Sequence, residues 1–121
     1  MEKFSFDEFS KIQIKIGKVI SAERIENSNK LLKLEVDFGS TSQVLPDGKI
    51  WEVKEKRQIL AGIAKFYEPE VLVGKLCPFV FNLETKKMGE LESQGMILCA
   101  DDNGPVLLHP EKQINPGSLV K

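Results

Sequence analysis

Few residues in this chain are placed to do covalent chemistry. His109 is the one histidine, and it stands between Leu108 and Pro110 with no acid or nucleophile spaced to orient it. Acid–base and nucleophilic catalysis both need a positioned partner, so His109 reads as structural or solvent-facing. The two cysteines, Cys77 and Cys99, lie in apolar runs without a CxxC spacing and read as reduced core thiols of a cytosolic protein. Asp101-Asp102 run into Asn103-Gly104-Pro105, which marks the start of a turn more than a cation site. No His, Cys and carboxylate spacing suits a metal, and neither a GxxxxGK[ST] nor a GxGxxG phosphate loop is present. The expectation is a binder without catalysis, cofactor or metal.

Binding chemistry is better represented. The stretch Asn82-Leu83-Glu84-Thr85-Lys86-Lys87-Met88-Gly89, continued by Ser93-Gln94-Gly95-Met96, combines two adjacent lysines, hydroxyls, glycines and two methionines. Such a loop offers point charges, backbone N–H groups and an adaptable apolar surface to a sugar-phosphate chain with exposed bases. The same residues also suit turn glycines and a core Met96, and chemistry alone slightly favours that plainer reading. The charge arithmetic is two-sided as well. Seventeen Lys and Arg oppose eighteen Asp and Glu, for a formal charge of −1, which does not announce nucleic acid. Sorted along the chain, residues 11–33 hold six basic and two acidic side chains, whereas 66–121 hold five and eight. Lys11 and Lys15 either solvate the outer face of a strand or meet phosphates.

The elements that must carry these groups read as short strands. From Lys11 the apolar residues alternate as Ile12, Ile14 and Ile16, and Gly17 then breaks the pattern, which predicts a bulged, bent strand. Leu32, Leu34, Val36 and Phe38 form a second inward row, ended by Gly39-Ser40-Thr41-Ser42. Residues 43–56 read as a hairpin around Pro46-Asp47-Gly48, with Trp51 on one arm placed to stack on a base, to pack on a dimer partner or, as a lone hairpin tryptophan more often does, to cover its own core. Ile59–Ile63 suits a strand buried on both faces. A short helix follows near Pro69, with Gly74 ending it. Strands are expected again at 76–83, 95–100 and 106–108, with Leu119-Val120 closing the tail. This is the pattern of a small all-β Greek-key barrel, an arrangement that the OB-fold shares. One domain fits 121 residues. No apolar stretch reaches transmembrane length, and the N-terminus lacks the basic-then-apolar pattern of a signal peptide.

Four segments, taken in order, resemble a tRNA-binding domain family that includes the C-terminal domain or β subunit of methionyl-tRNA synthetases and a free-standing tRNA-binding protein. They are Phe9 through Val19, Asn27 through Gly39, Arg57 through Ile63, and Asn82 through Ala100, the last resembling NL-x-P-x-K-x-x-G-x-x-S-x-GM-x-L-x-A. The resemblance implies a five-stranded OB-fold barrel with a short helix. It implies a single domain over 1–121, with an N-terminal segment at 1–8, a hairpin insertion at 43–56 and a dimerisation extension at 101–121. Carried over by position, Lys30, Arg57, Lys86, Lys87, Ser93 and Met96 are the residues expected at the RNA surface.

By the same resemblance the partners are tRNA, a second copy of the chain and a methionyl-tRNA synthetase, aided in trans or as a β subunit, with no membrane association. The alternative is a CsaA-like export chaperone that binds polypeptides. Several positions depart from the family pattern: Gln13 and Lys15 stand where Asp and Arg are usual, Asn29 replaces an Asp, and Glu84-Thr85 replaces Lys-Pro. Glu90-Leu91-Glu92 adds negative charge beside the expected site.

Overall fold

The alternating rows are realised as a curled antiparallel sheet in a computed structural model that describes residues 1–121. Helix α1 (Phe6–Ser10) precedes strands β1 (Ile14–Arg24), β2 (Leu32–Val44) and β3 (Ile50–Ala61). Helix α2 (Pro69–Leu72) leads to β4 (Leu76–Val80), and a hairpin of β5 (Lys86–Met88) and β6 (Leu91–Ser93) leads to β7 (Met96–Ile97). A second small hairpin, β8 (Cys99–Asp101) with β9 (Pro105–Leu107), and the tail strand β10 (Leu119–Val120) complete the chain. The main sheet runs β3-β2-β1-β4-β7, with β10 joined to β1. Five strands in this order, with a helix between the third and fourth, make the all-β, OB-like barrel that the patterning indicated.

Bending is concentrated in β1. Its first half pairs with β4, its second half pairs with β2, and the β2 register shifts between Val19 and Ser21. The break expected at Gly17 has a steric cause, because a Cβ there would collide with Val36 and Phe38. The bulge itself lies two to four residues further on, so Val19 is buried, whereas Ser21 faces solvent. β2 does not stop at Gly39. That glycine adopts φ +86° in a bulge between Asp37 and Ser40, and Asp37 Oδ1 accepts its N–H at 2.8 Å. The strand then continues to Val44, and the β2–β3 hairpin becomes a long ribbon standing out from the barrel. Two smaller corrections concern the ends. β4 stops at Val80, and residues 5–8 start a helix through a capping box in which Ser5 and Glu8 exchange hydrogen bonds.

The core fills the curl. Leu32, Leu34, Val36, Val19, Ile59, Leu72 and Phe79 are fully buried, and Phe38 packs edge-on against both Phe79 and Phe81. Cys77 belongs to this cluster and is free, whereas Cys99 is half-buried. Burial, with Cys99 nearby, pushes the Cys77 thiol up to about 11, and burial also raises Cys99. Neither is primed as a nucleophile, because the thiolate is the reactive form.

The barrel closes without a strand ladder. Between β3 and residues 92–95, side chains supply most of the bonds. Ser93 Oγ accepts the Leu60 N–H at 2.9 Å and donates to the Gly95 carbonyl at 2.8 Å. Gln94 Oε1 accepts the Gln58 N–H at 3.0 Å, and the Gln94 N–H returns to the Gln58 carbonyl at 2.8 Å. Gln58 Nε2 donates to the Glu92 carbonyl at 2.9 Å. Arg57 stacks its guanidinium 3.5 Å from the Phe81 ring centroid and donates to the Phe81 and Gln94 carbonyls. Gly95 turns the chain at φ +144°, where a Cβ would lie 2.8 Å from the Val80 carbonyl oxygen and 2.9 Å from Ile59 Cδ1.

Ser93→Ala strands the buried Leu60 N–H and should lower stability by about 1–3 kcal/mol, read from the urea midpoint. Lys86→Ala, on the exposed strand opposite, should leave that midpoint unchanged. With a disulfide reagent at pH 8, native protein should react at Cys99 only, and Cys77 should react only once the chain is unfolded. Rapid labelling of Cys77 in native Cys99→Ala protein would contradict its burial.

Candidate nucleic-acid interface

A shallow groove of about 500 Å3 runs along the barrel between the end of β3 and the β8–β9 hairpin. Leu60–Ile63, Met88, Met96, Ile97, Cys99–Asp101, Gly104 and Pro105 line it, so its floor is mostly apolar. Met96 is 45% exposed, settling the choice between core and surface in favour of surface. Its register partner on β4 is Val80. Met88 reaches the groove from β5, whose strand also carries Lys86 and Lys87, both exposed. Side chains two apart on a strand share a face, so Lys86 lies on the Met88 side and Lys87 on the other. Lys87 is opposite Glu92 in the hairpin, which tempers its charge.

Lys30 is exposed in the turn between β1 and β2. Asn27 takes φ 67° there, and Ser28 Oγ accepts the Leu31 N–H at 3.2 Å. The Lys30 carbonyl accepts the Ala64 N–H at 3.0 Å, tying this turn to the chain just beyond Ile63 in the groove wall. Met88 and Met96 therefore line the groove directly, Lys86 stands two residues from Met88 on the same strand, and Lys30 lies in a turn bonded to the chain just beyond Ile63.

Two expected surface residues are placed otherwise. Ser93 is 2% exposed, and its hydroxyl is used on both sides by the seam, so it has no freedom to meet a ribose or phosphate. Arg57 is half-buried and already bound to Glu55 at 2.9 Å, to Phe81 and to Gln94. It acts first as a clamp on the barrel's open end. Trp51 departs from expectation in the opposite direction: it is 58% exposed on the ribbon and covers no core.

Electrostatics follow placement more than sequence. Of the basic residues in 11–33, Arg24 pairs with Glu68 at 3.1 Å and Lys33 with Glu23 at 2.6 Å. Such exposed pairs contribute about 0–1 kcal/mol each, but they remove free positive charge from that face. Lys15 instead rests its ammonium 4.0 Å from the Phe81 ring centroid, on the same ring that Arg57 covers. Its nearness to Arg57 was hidden in sequence, since 42 positions of chain order become one ring's two neighbours. His109 keeps a structural contact, its Nδ1 2.9 Å from the Leu76 carbonyl. No three His, Cys, Asp or Glu side chains converge as a metal site would require.

Comparison with known proteins identifies the family. Residues 14–119 match the model of a putative tRNA binding domain. Methionine–tRNA ligase of Methanothrix thermoacetophila is 47% identical over 117 residues, covering 96% of this chain and 15% of that enzyme. The ligase of Methanosphaerula palustris is 45% identical over 120 residues, covering 99% and 16%. The chain thus spans about a sixth of these relatives. Among solved structures, a MetRS related protein from Pyrococcus horikoshii superposes with a TM-score of 0.82 at 39% identity over 100% of both chains. The chaperone CsaA from Bacillus anthracis follows at 0.77 and 26%, covering 99% of this chain and 100% of its own. By the match across its barrel and by these relatives, the chain belongs to the tRNA-binding domain family, in the branch related to the C-terminal region of methionine–tRNA ligases.

Proposed function

We propose that the chain is a non-catalytic tRNA-binding module that recognises tRNA by shape and backbone contacts. In this reading it aids a methionyl-tRNA synthetase in the cytoplasm, as a β subunit or a factor acting in trans. The observation that carries the proposal is the groove itself. An apolar floor carries two adaptable methionines, Lys86 shares a strand with Met88, and the Lys30 turn is bonded to the chain just beyond Ile63, an arrangement that suits an unstacked base between phosphates. Family membership supplies the class of RNA, and the ligase relatives supply the synthetase connection. With a net charge of −1, affinity rests on this local cluster and should be strongly salt-dependent.

A polypeptide-binding role is the second reading. The predominantly apolar lining supports it, together with the likeness to the CsaA chaperone. The Ser93-Gln94-Gly95-Met96 motif does not separate the two roles, because Ser93, Gln94 and Gly95 serve barrel closure.

We also propose that the chain pairs with a second copy through its tail. Phe6, Ile12, Leu108, Leu119 and Val120 expose apolar surface. Two apolar hollows of about 470 and 410 Å3 meet at Leu119–Lys121 along this strip. An isologous contact would cover it.

Unfractionated tRNA should be retarded by the protein at low salt, and retardation should fade steeply as salt rises. Lys86→Glu with Lys87→Glu should weaken tRNA binding at least tenfold with the urea midpoint intact; unchanged affinity would move the site elsewhere, and equal affinity for an unstructured RNA would end the shape reading. An unfolded polypeptide that displaces tRNA from the wild-type protein would favour the second role. Light scattering should give twice 13.6 kDa for the wild type and a monomer for Leu119→Glu, and a dimeric variant would exclude the tail as the interface.

A further inference from the structure

The β2–β3 ribbon is left unexplained by the groove, and its two faces differ in chemistry. Residues paired across an antiparallel ladder share a face, so Gln43 lies beside Trp51 and Thr41 beside Val53. Glu55 falls on the same face by alternation, Arg57 continues it into the barrel end, and Lys49 stands in the hairpin tip just before Ile50. There Arg57 and Lys15 both sit on the Phe81 ring. The one carboxylate in this row, Glu55, is bound by Arg57 at 2.9 Å. Asp47 is turned into the hairpin tip, its Oδ1 accepting the Lys49 N–H at 3.0 Å. The opposite face carries the apolar pair Val44 and Ile50. One face of the ribbon is thus an aromatic ring beside an amide and a hydroxyl, with cations at its tip and base.

We propose that this face is a second RNA contact, in which Trp51 stacks on an unpaired nucleobase and Gln43 addresses its edge, while Lys49 and Lys15 line the path of the phosphates. Stacking on an exposed aromatic suits any base, and an amide opposite it adds hydrogen-bonding capacity. The proposal rests on the tRNA-binding reading above and extends its footprint from the groove, past the clamped barrel end, to the ribbon.

Trp51 is the only tryptophan in the chain, so its fluorescence reports directly on this face. Titration with unfractionated tRNA should quench it, saturating at the concentrations that produce the gel shift. Trp51→Ala should weaken tRNA binding about tenfold, within the usual range for losing one stacked base, and Trp51→Phe should restore most of it. Lys49→Glu should weaken binding severalfold. If tRNA is retarded while Trp51 emission and the Trp51→Ala affinity stay unchanged, the ribbon contact is overturned and the groove reading survives. If the wild type binds no tRNA, both fall. If Trp51→Ala alters the molar mass in light scattering with no effect on tRNA affinity, the face meets a second copy of the chain, and the RNA contact is refuted.

Discussion

The Gln58 and Leu60 N–H groups at the outer edge of β3 have no further strand to receive them, and the chain supplies acceptors from Gln94 Oε1 and Ser93 Oγ. A buried, unpaired N–H costs about 1–3 kcal/mol, so this seam decides whether the curled sheet closes into a barrel or remains open. Much else follows from it. Gly95 must pass against Val80 and Ile59, Met96 is then delivered to the groove, and the β5–β6 hairpin is anchored with Lys86 and Met88 beside it. Arg57 locks the adjoining end by binding the Phe81 and Gln94 carbonyls.

Closure and recognition are therefore coupled through one short segment. Ser93 and Met96 stand three residues apart and do opposite work: one is consumed inside the wall, the other is displayed outside it. A pattern that looks like a ligand-binding signature is in large part a folding device, and it positions a smaller set of displayed side chains. The same distinction applies to charge. A total of −1 says little about a surface on which Lys33 and Arg24 are matched with carboxylates while Lys30 and Lys86 have no ion-pair partner.

The fold was legible where burial imposes a period. The row Leu32–Phe38, the buried run from Ile59, the Pro69 helix and the Pro46-Asp47-Gly48 turn all lie where alternation and turn chemistry indicated. Gly39 was read as a terminator because glycine usually weakens a strand, yet its positive φ serves a bulge within a strand that continues. The five-residue α1 leaves no apolar period in the sequence, only the Ser5–Glu8 box. Trp51 departs from the usual burial of tryptophan. The ribbon that bears it extends beyond the barrel, so no core lies beneath it.

What the sequence determined by itself was the kind of molecule. Alternating apolar rows, glycines at turns and four motifs in order suffice for a tRNA-binding OB-like barrel, because each is a local or collinear signal. What only the tertiary structure decided was which motif residues face outward. Ser93 and Arg57 look like ligands in one dimension, but their hydrogen-bonding groups are taken by Leu60 of β3 and the nearby Gly95, and by the distant Phe81 and Gln94 carbonyls. Whether a polar side chain is free depends on the long-range partners that closure brings to it, and those partners have no fixed spacing along the chain.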